Sequence, residues 1–132
     1  MDYKKILVPI DGSDESLRAL SEAVYLAKLS NAEITLLTII DTKDGAPSPE
    51  MEAAGKTLLD ECAKTVKDEV KISTEVRCAS PSEAIISAAE EEGFDLVIMG
   101  SRGLSPFETM LIGGVSNGVI QGLKTCPVMI VR

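Results

Sequence analysis

The sequence predicts an α/β protein, a doubly wound five-stranded parallel sheet with helices on both faces. Three observations predict it. Strand-like and helix-like segments alternate along the whole chain in the order βαβαβαβαβ, and such alternation implies parallel strands joined by right-handed crossovers. Several strand candidates, among them "ITLLTII" and "DLVIM", are short apolar runs of the kind buried on both faces. Two loops that leave strand carboxyl ends, "PIDGSD" and "MGSRG", carry polar and glycine chemistry, and sheets of this class bind ligands at those ends, where the strand order reverses.

Each element follows from local chemistry. "KKILVPI" (Lys4–Ile10) is rich in β-formers and stops at "DGSD". From Ser13 to Leu29, apolar residues at Leu17, Leu20, Ala23, Val24 and Ala27 recur near a 3.6 period, which predicts a helix capped by Ser13 or Asp14. "AEITLLTII" (Ala32–Ile40) is the second strand, and "DTKDGAPSPE" is a loop by composition. Glu50–Val70 reads as a long helix with Met51, Leu58, Leu59, Cys62 and Val66 on one side. "VKISTEVRC" alternates as a strand covered on one face. "SPSEAIISAAEEEG" starts at Ser or Pro and ends at Gly93, as a third helix would. "FDLVIMG" is a buried strand, Val115–Leu123 a short helix, and "PVMIVR" the last strand.

At 132 residues the chain suits one domain, 1–132, with one core. Only two Phe, two Tyr and no Trp are present, so Ile, Leu, Val, Ala and Met must fill that core. A net charge of −8 argues against a nucleic-acid or anionic-membrane binder, which needs clustered Lys and Arg. No long apolar run or signal-peptide pattern occurs, so neither a membrane span nor export is expected. Cys62, Cys78 and Cys126 are odd in number and widely spaced, which reads as buried thiols in a reducing cytoplasm. Histidine is absent, which removes the commonest general base and any Ser-His-Asp or Cys-His mechanism.

The segment "MGSRGLSPFETMLIGGVSNG" is the richest in possible chemistry. Gly100 and Gly103 permit a tight turn and close approach to a ligand, and Gly113 and Gly114 sit at the start of a helix. Free N–H groups and the positive dipole end favour an anion there, and Ser116 offers a hydroxyl donor. A glycine pattern equally marks simple turns. No Walker A spacing and no lysine accompany it. Arg102 is its one cation, and Glu108 offsets it. Asp11 is the second candidate. It ends a buried strand and could hold a ribose hydroxyl or a magnesium-bound water. It could also be a helix N-terminal acid beside a Ser13 cap. The run Glu90–Glu92 reads as a solvated helix end, and Met99 as core or ligand wall.

Over essentially its whole length the chain resembles the universal stress protein family. "YKKILVPIDGSDESLRAL" is similar to that family's first strand and helix, "SPSEAIISAAEEEGFDLVIMGSRG" to its third helix and fourth strand, and "CPVMIVR" to its final strand. The family's nucleotide signature is Gly, two residues, Gly, nine residues, Gly, then Ser or Thr. Gly100, Gly103 and Gly113 fall on that spacing. The resemblance implies a Rossmann-like sheet of the adenine nucleotide alpha hydrolase kind and a homodimer. An apolar edge at "PVMIVR" would supply the pairing surface. It also implies a stress-response role with ATP, or ADP or AMP, as ligand, with magnesium. Pro9, Ile10 and Asp11 match the family's first-strand contacts, and Ile39 or Ile40 would lie beside adenine. Met99, Gly100, Arg102, Gly103, Gly113, Val115 and Ser116 match its loop contacts.

This chain departs from the pattern at Gly114, where the signature has Ser or Thr, so a phosphate-binding hydroxyl is missing. Phe107 and Glu108 stand where basic residues are frequent, and Ala79 stands where Gly usually precedes the proline. The expected function is nucleotide sensing without efficient catalysis. The alternatives are a nucleotide-independent dimeric interaction module and a slow ATP hydrolase.

Overall fold

The computed structural model describes residues 3–43, 45–101 and 114–132. In chain order the elements are β1 Lys5–Pro9, α1 Asp14–Ser30, β2 Glu33–Ile40, α2 Pro49–Val66 and β3 Lys71–Cys78, then α3 Pro81–Glu91, β4 Leu96–Gly100, α4 Gly114–Gly122 and β5 Val128–Val131. The five strands form one sheet in the order β3-β2-β1-β4-β5, and every paired neighbour is parallel. The chain therefore winds outward from β1 to β3, then crosses back to β4 and β5. The reversal lies between β1 and β4.

Helices cover both faces, as the alternation predicts. On one face, Ile6, Val8, Ile34 and Leu36 meet Ala19, Ala23 and Ala27 of α1 and Leu59 and Cys62 of α2. On the other, Leu7, Leu37 and Val97 meet Ile85 and Ala88 of α3 and Val119 of α4. The small residues on α1 let it lie close to the sheet, where burying each large strand side chain is worth about 1.5–3 kcal/mol.

Local chemistry sets the boundaries. Ser13 caps α1: its Oγ accepts from Ser16 N–H at 3.1 Å. Asn31 ends that helix in the left-handed region at φ 58°, which short polar side chains tolerate. Ser48 caps α2 in the same way, with Pro49 in the first turn. Ser80 precedes α3 without a side-chain cap bond, and Pro81 stands in that helix's first turn.

Three sequence expectations are corrected. The second helix ends at Val66, not Val70: Glu69 and Val70 both donate N–H bonds to the Val66 carbonyl in the turn that releases β3. Leu17 and Met51 are on the outer surface, at 42% and 48% exposure, because their helices bury narrower stripes than the apolar pattern implied. The run Glu90–Glu92 is an exposed helix end, as expected, and its last two residues pair with Arg77. Arg77 Nη2 donates to Glu92 at 2.8 Å, its Nη1 pairs with Glu91 at 3.7 Å, and its Nε donates to Glu75. The hydrogen bond that Arg77 donates to Glu75 leads in raising the pKa of its guanidinium. Of the three thiols, Cys62 is buried, Cys126 half-buried and Cys78 exposed.

Candidate functional site

The reversal between β1 and β4 opens a cleft at the carboxyl ends of the strands. It encloses about 420 Å³, part of it open to solvent. Pro9, Ile10 and Asp11 form one side as β1 ends, and Met99 and Gly100 form the other as β4 ends. Ile39 comes from β2, Ser13 and Ser16 from the start of α1, Pro81 and Ile85 from α3, and Val115 from α4. The wall is mostly aliphatic, and Asp11 is the charged residue among these.

Register explains why the cleft exists. Pro9, the last residue of β1, pairs with Leu37, whereas β2 runs on to Ile40. Glu33 N–H donates to the Lys4 carbonyl and the Leu37 carbonyl accepts from Ile10 N–H, so the odd residues of β2 direct their backbone polar groups toward β1. Ile39 is the next odd residue, and β1 has already ended beside it. Its backbone N–H and C=O thus face the cleft with no strand alongside. Its side chain packs with the α3 and α4 layer. Ile40 lies on the other face: a Cβ on Gly55 of α2 would come within 3.9 Å of its Cδ1.

Asp11 is held by the turn that follows it. Its Oδ1 accepts from Ser13 N–H at 2.9 Å. Gly12 bridges the two at φ +85°, a conformation that glycine adopts without strain. Ser16 Oγ donates to the Ser13 carbonyl at 2.9 Å. The first turn of α1 is therefore stitched to the end of β1, and Asp11 keeps a second carboxylate oxygen.

Gly100 has a cause within the fold. A Cβ there would stand 2.8 Å from Glu15 Cβ, 2.9 Å from the Glu15 carbonyl carbon and 3.0 Å from Ser16 N. No side chain fits between β4 and the start of α1. Ser116 also has an internal role. It is buried, and its Oγ donates to the Gly100 carbonyl at 2.7 Å. That bond uses its single proton here and fastens α4 to β4.

The structure thus gathers Pro9, Ile10, Asp11, Ile39, Met99, Gly100 and Val115 around one cleft, and leaves Ile40 and Gly114 outside its lining. Met99 belongs both to the core and to the wall. Arg102, Gly103 and Gly113 lie outside the described residues. Sequence reasoning missed Ser13, Ser16, Pro81 and Ile85. The signal for the last two was available: the helix that begins "SPSEAII" leaves a strand carboxyl end and must cross the sheet to reach the fourth strand. Among the described residues, no group of three or more His, Cys, Asp or Glu is placed to hold a metal ion. No helix among them is long and apolar enough to cross a membrane.

A doubly wound parallel sheet with an aliphatic cleft at its switch point is the α/β architecture in which ligands characteristically bind at that point. The profile of the universal stress protein family matches residues 2–132, and the chain belongs to that family. It is 34% identical to universal stress protein YxiE of Bacillus subtilis, over 98% of this chain and 99% of the relative. Among solved structures, that of protein MJ0577 superposes with a TM-score of 0.87 at 29% identity, covering 99% of this chain and 96% of that one. A universal stress protein solved in complex with cAMP superposes at 0.76 with 30% identity, over 100% of this chain and 98% of the other.

Proposed function

We propose that the protein binds adenine nucleotides of the ATP, ADP and AMP series in the β1/β4 cleft and acts as a cytoplasmic, ligand-sensing homodimer in stress responses. The observation that carries this reading is the overhang of β2. An aliphatic slot formed by Pro9, Ile39, Ile85 and Met99 suits a flat base, and the Ile39 backbone offers one donor and one acceptor at its edge. Adenine presents both kinds of partner on its rim. The relative in complex with cAMP supports the same ligand class. In this reading Asp11 holds a ribose hydroxyl or a magnesium-bound water, and the segment holding Gly103 and Gly113 meets the phosphates. Magnesium characteristically uses one or two carboxylates plus phosphate oxygens, so a lone aspartate fits it. Dimerisation uses β5, whose Met129 is an exposed apolar residue on an edge strand.

Turnover is not the role we assign. Histidine is absent, and among the described residues of the cleft Asp11 is the one candidate base. Any hydrolysis is expected on the order of one turnover per minute or slower, against a typical enzyme's ~10 per second. One observation favours the nucleotide-independent interaction module as a second reading: Gly100 is required for packing, so its presence needs no ligand. Protein denatured directly after purification and examined by mass spectrometry, together with calorimetric titration of ATP, ADP and AMP, separates the two. Released nucleotide or measurable heat supports sensing; silence in both at millimolar ligand overturns it.

A further inference from the structure

We propose that Arg77 is a positioning residue for the cleft: together with Lys5 it clamps the far end of α3 to the sheet, and so fixes the angle at which the Pro81 and Ile85 wall meets a ligand. The link to a ligand rests on the nucleotide reading above; the clamp itself does not.

α3 lacks the means to stabilise this end for itself. A helix C-terminus carries about −0.5 charge and favours cations. α1 and α2 have Lys28 and Lys64 in their last turns. The last turn of α3 has no basic residue and runs into Glu90, Glu91 and Glu92, so carboxylates crowd the negative pole.

Neighbouring strands provide what is missing. Ile72 and Val76 of β3 pack with the α1 and α2 layer, so alternation turns Ser73, Glu75 and Arg77 to the α3 side. β3 therefore gives α3 no apolar seat, and Arg77, Glu83, Ala84, Ser87 and Glu91 line an open groove between them. Arg77 spans it. Its Nη2 donates to Glu92 at 2.8 Å and its Nη1 lies 3.7 Å from Glu91, while Glu75 on the same strand accepts from Nε and steadies the guanidinium. The Arg77 side chain is 24% exposed, so these pairs are screened less than open surface pairs. From β1, Lys5 Nζ donates to the Glu92 carbonyl at the helix end and stands 4.7 Å over the Phe94 ring. Glu92 is thus gripped at backbone and side chain from two strands. At the other end, Ala79 N–H donates to the Ile40 carbonyl at 3.1 Å, which ties the entry of α3 to β2. Ile85 lies between the two ties, and its depth in the cleft follows from the axis they define.

Native-state hydrogen exchange on the intact protein, with α1 as internal reference, tests the clamp. Arg77→Met should accelerate α3 exchange relative to α1 by about fivefold or more, the upper end for exposed pairs, since one cation serves three carboxylates. Arg77→Lys should keep much of the protection. Adding Glu91→Gln and Glu92→Gln to Arg77→Met should slow α3 again, because the acids that Arg77 neutralises are then gone. Calorimetric titration with AMP should find weaker binding in Arg77→Met than in wild type. Unchanged α3 exchange in Arg77→Met, equal acceleration of α1 and α3, or no recovery in the triple variant overturns the clamp. Accelerated α3 exchange with wild-type AMP affinity overturns its role in positioning the cleft wall. A wild-type protein that binds no AMP overturns the nucleotide reading instead, and the exchange results still decide the clamp.

Discussion

The Ser116 hydroxyl donates to the Gly100 carbonyl at 2.7 Å, and both residues are buried. This bond joins the end of β4 to the first turn of α4, the two elements that bracket residues 102–113. Ser116→Ala removes the donor from a buried acceptor and should lower unfolding free energy by about 1–3 kcal/mol. Urea denaturation with an unchanged slope checks it. A loss under about 0.5 kcal/mol would mean the carbonyl is satisfied another way.

Gly100→Ala should destabilise the protein before any ligand is considered. The added carbon meets backbone atoms of Glu15 and Ser16 at 2.9 and 3.0 Å, and backbone cannot rotate aside. Overpacking of this kind costs about 1–3 kcal/mol. A ligand-free melting curve equal to wild type would contradict the account and return Gly100 to a purely ligand-contacting role.

Two glycines on α4 should behave differently. A Cβ at Gly118 meets Ser82 Cβ at 2.9 Å, an atom fixed to the α3 backbone. One at Gly122 meets Ile86 Cδ1 at 2.5 Å, the far end of a flexible side chain. Alanine also gains about 0.8–1 kcal/mol of helix propensity at either site. Gly122→Ala should therefore be near neutral and Gly118→Ala destabilising by roughly 1–2 kcal/mol after that gain. Equal midpoints for the two variants would count against the difference.

The three thiols should differ in reactivity and titrate late. Burial pushes Cys62 up, and the Glu61 carboxylate adds to it. Cys78 is raised by desolvation and by Glu52, whose Oε1 lies 3.6 Å from the sulfur. Alkylation of the native protein should proceed at Cys78 first and Cys62 last, and Glu52→Gln should accelerate Cys78 alone. A raised folded value favours the protonated thiol. Its contribution to stability is complete below the unfolded thiol's ~8.5 and fades as pH rises through the higher folded values. The urea midpoint should fall on the alkaline side.

The proposed pairing through β5 is tested by Met129→Lys, which places a charge on an exposed position of that edge. Light scattering should report wild-type dimer and variant monomer at the same concentration. A dimer that survives would move the interface elsewhere. The opposite edge is protected already. β3 carries Lys71, Glu75 and Arg77, and charged side chains on an edge discourage pairing.

Strand and helix alternation was legible because apolar period and cap chemistry are local. So was the switch-point cleft, since Asp11 and Gly100 each follow an apolar run. What the sequence hides is contact between distant segments. Nothing near Gly100 announces that Glu15 lies against it, so a packing glycine and a ligand glycine read alike. The partner of Ser116 was hidden because its acceptor sits sixteen positions away along the chain. Ile39 and Ile40 were inseparable until the pairing of Pro9 with Leu37 set which backbone faced the cleft. The length of the second helix was overread because Val70 fits both a helical stripe and the alternation of the next strand.

The close seat of α4 on α3 has a consequence for cooperativity. Pro81 and Ile85 on α3 and Val115 on α4 stand on the same cleft, and Gly118 and Gly122 let α4 seat directly against the Ser82 and Ile86 side chains of α3. Neither helix can lift away without stripping the other. They should open as one unit, with amide protons of both exchanging at a common free energy in native-state hydrogen exchange. A ligand seated between them would then slow exchange across both helices together, including turns that it never touches.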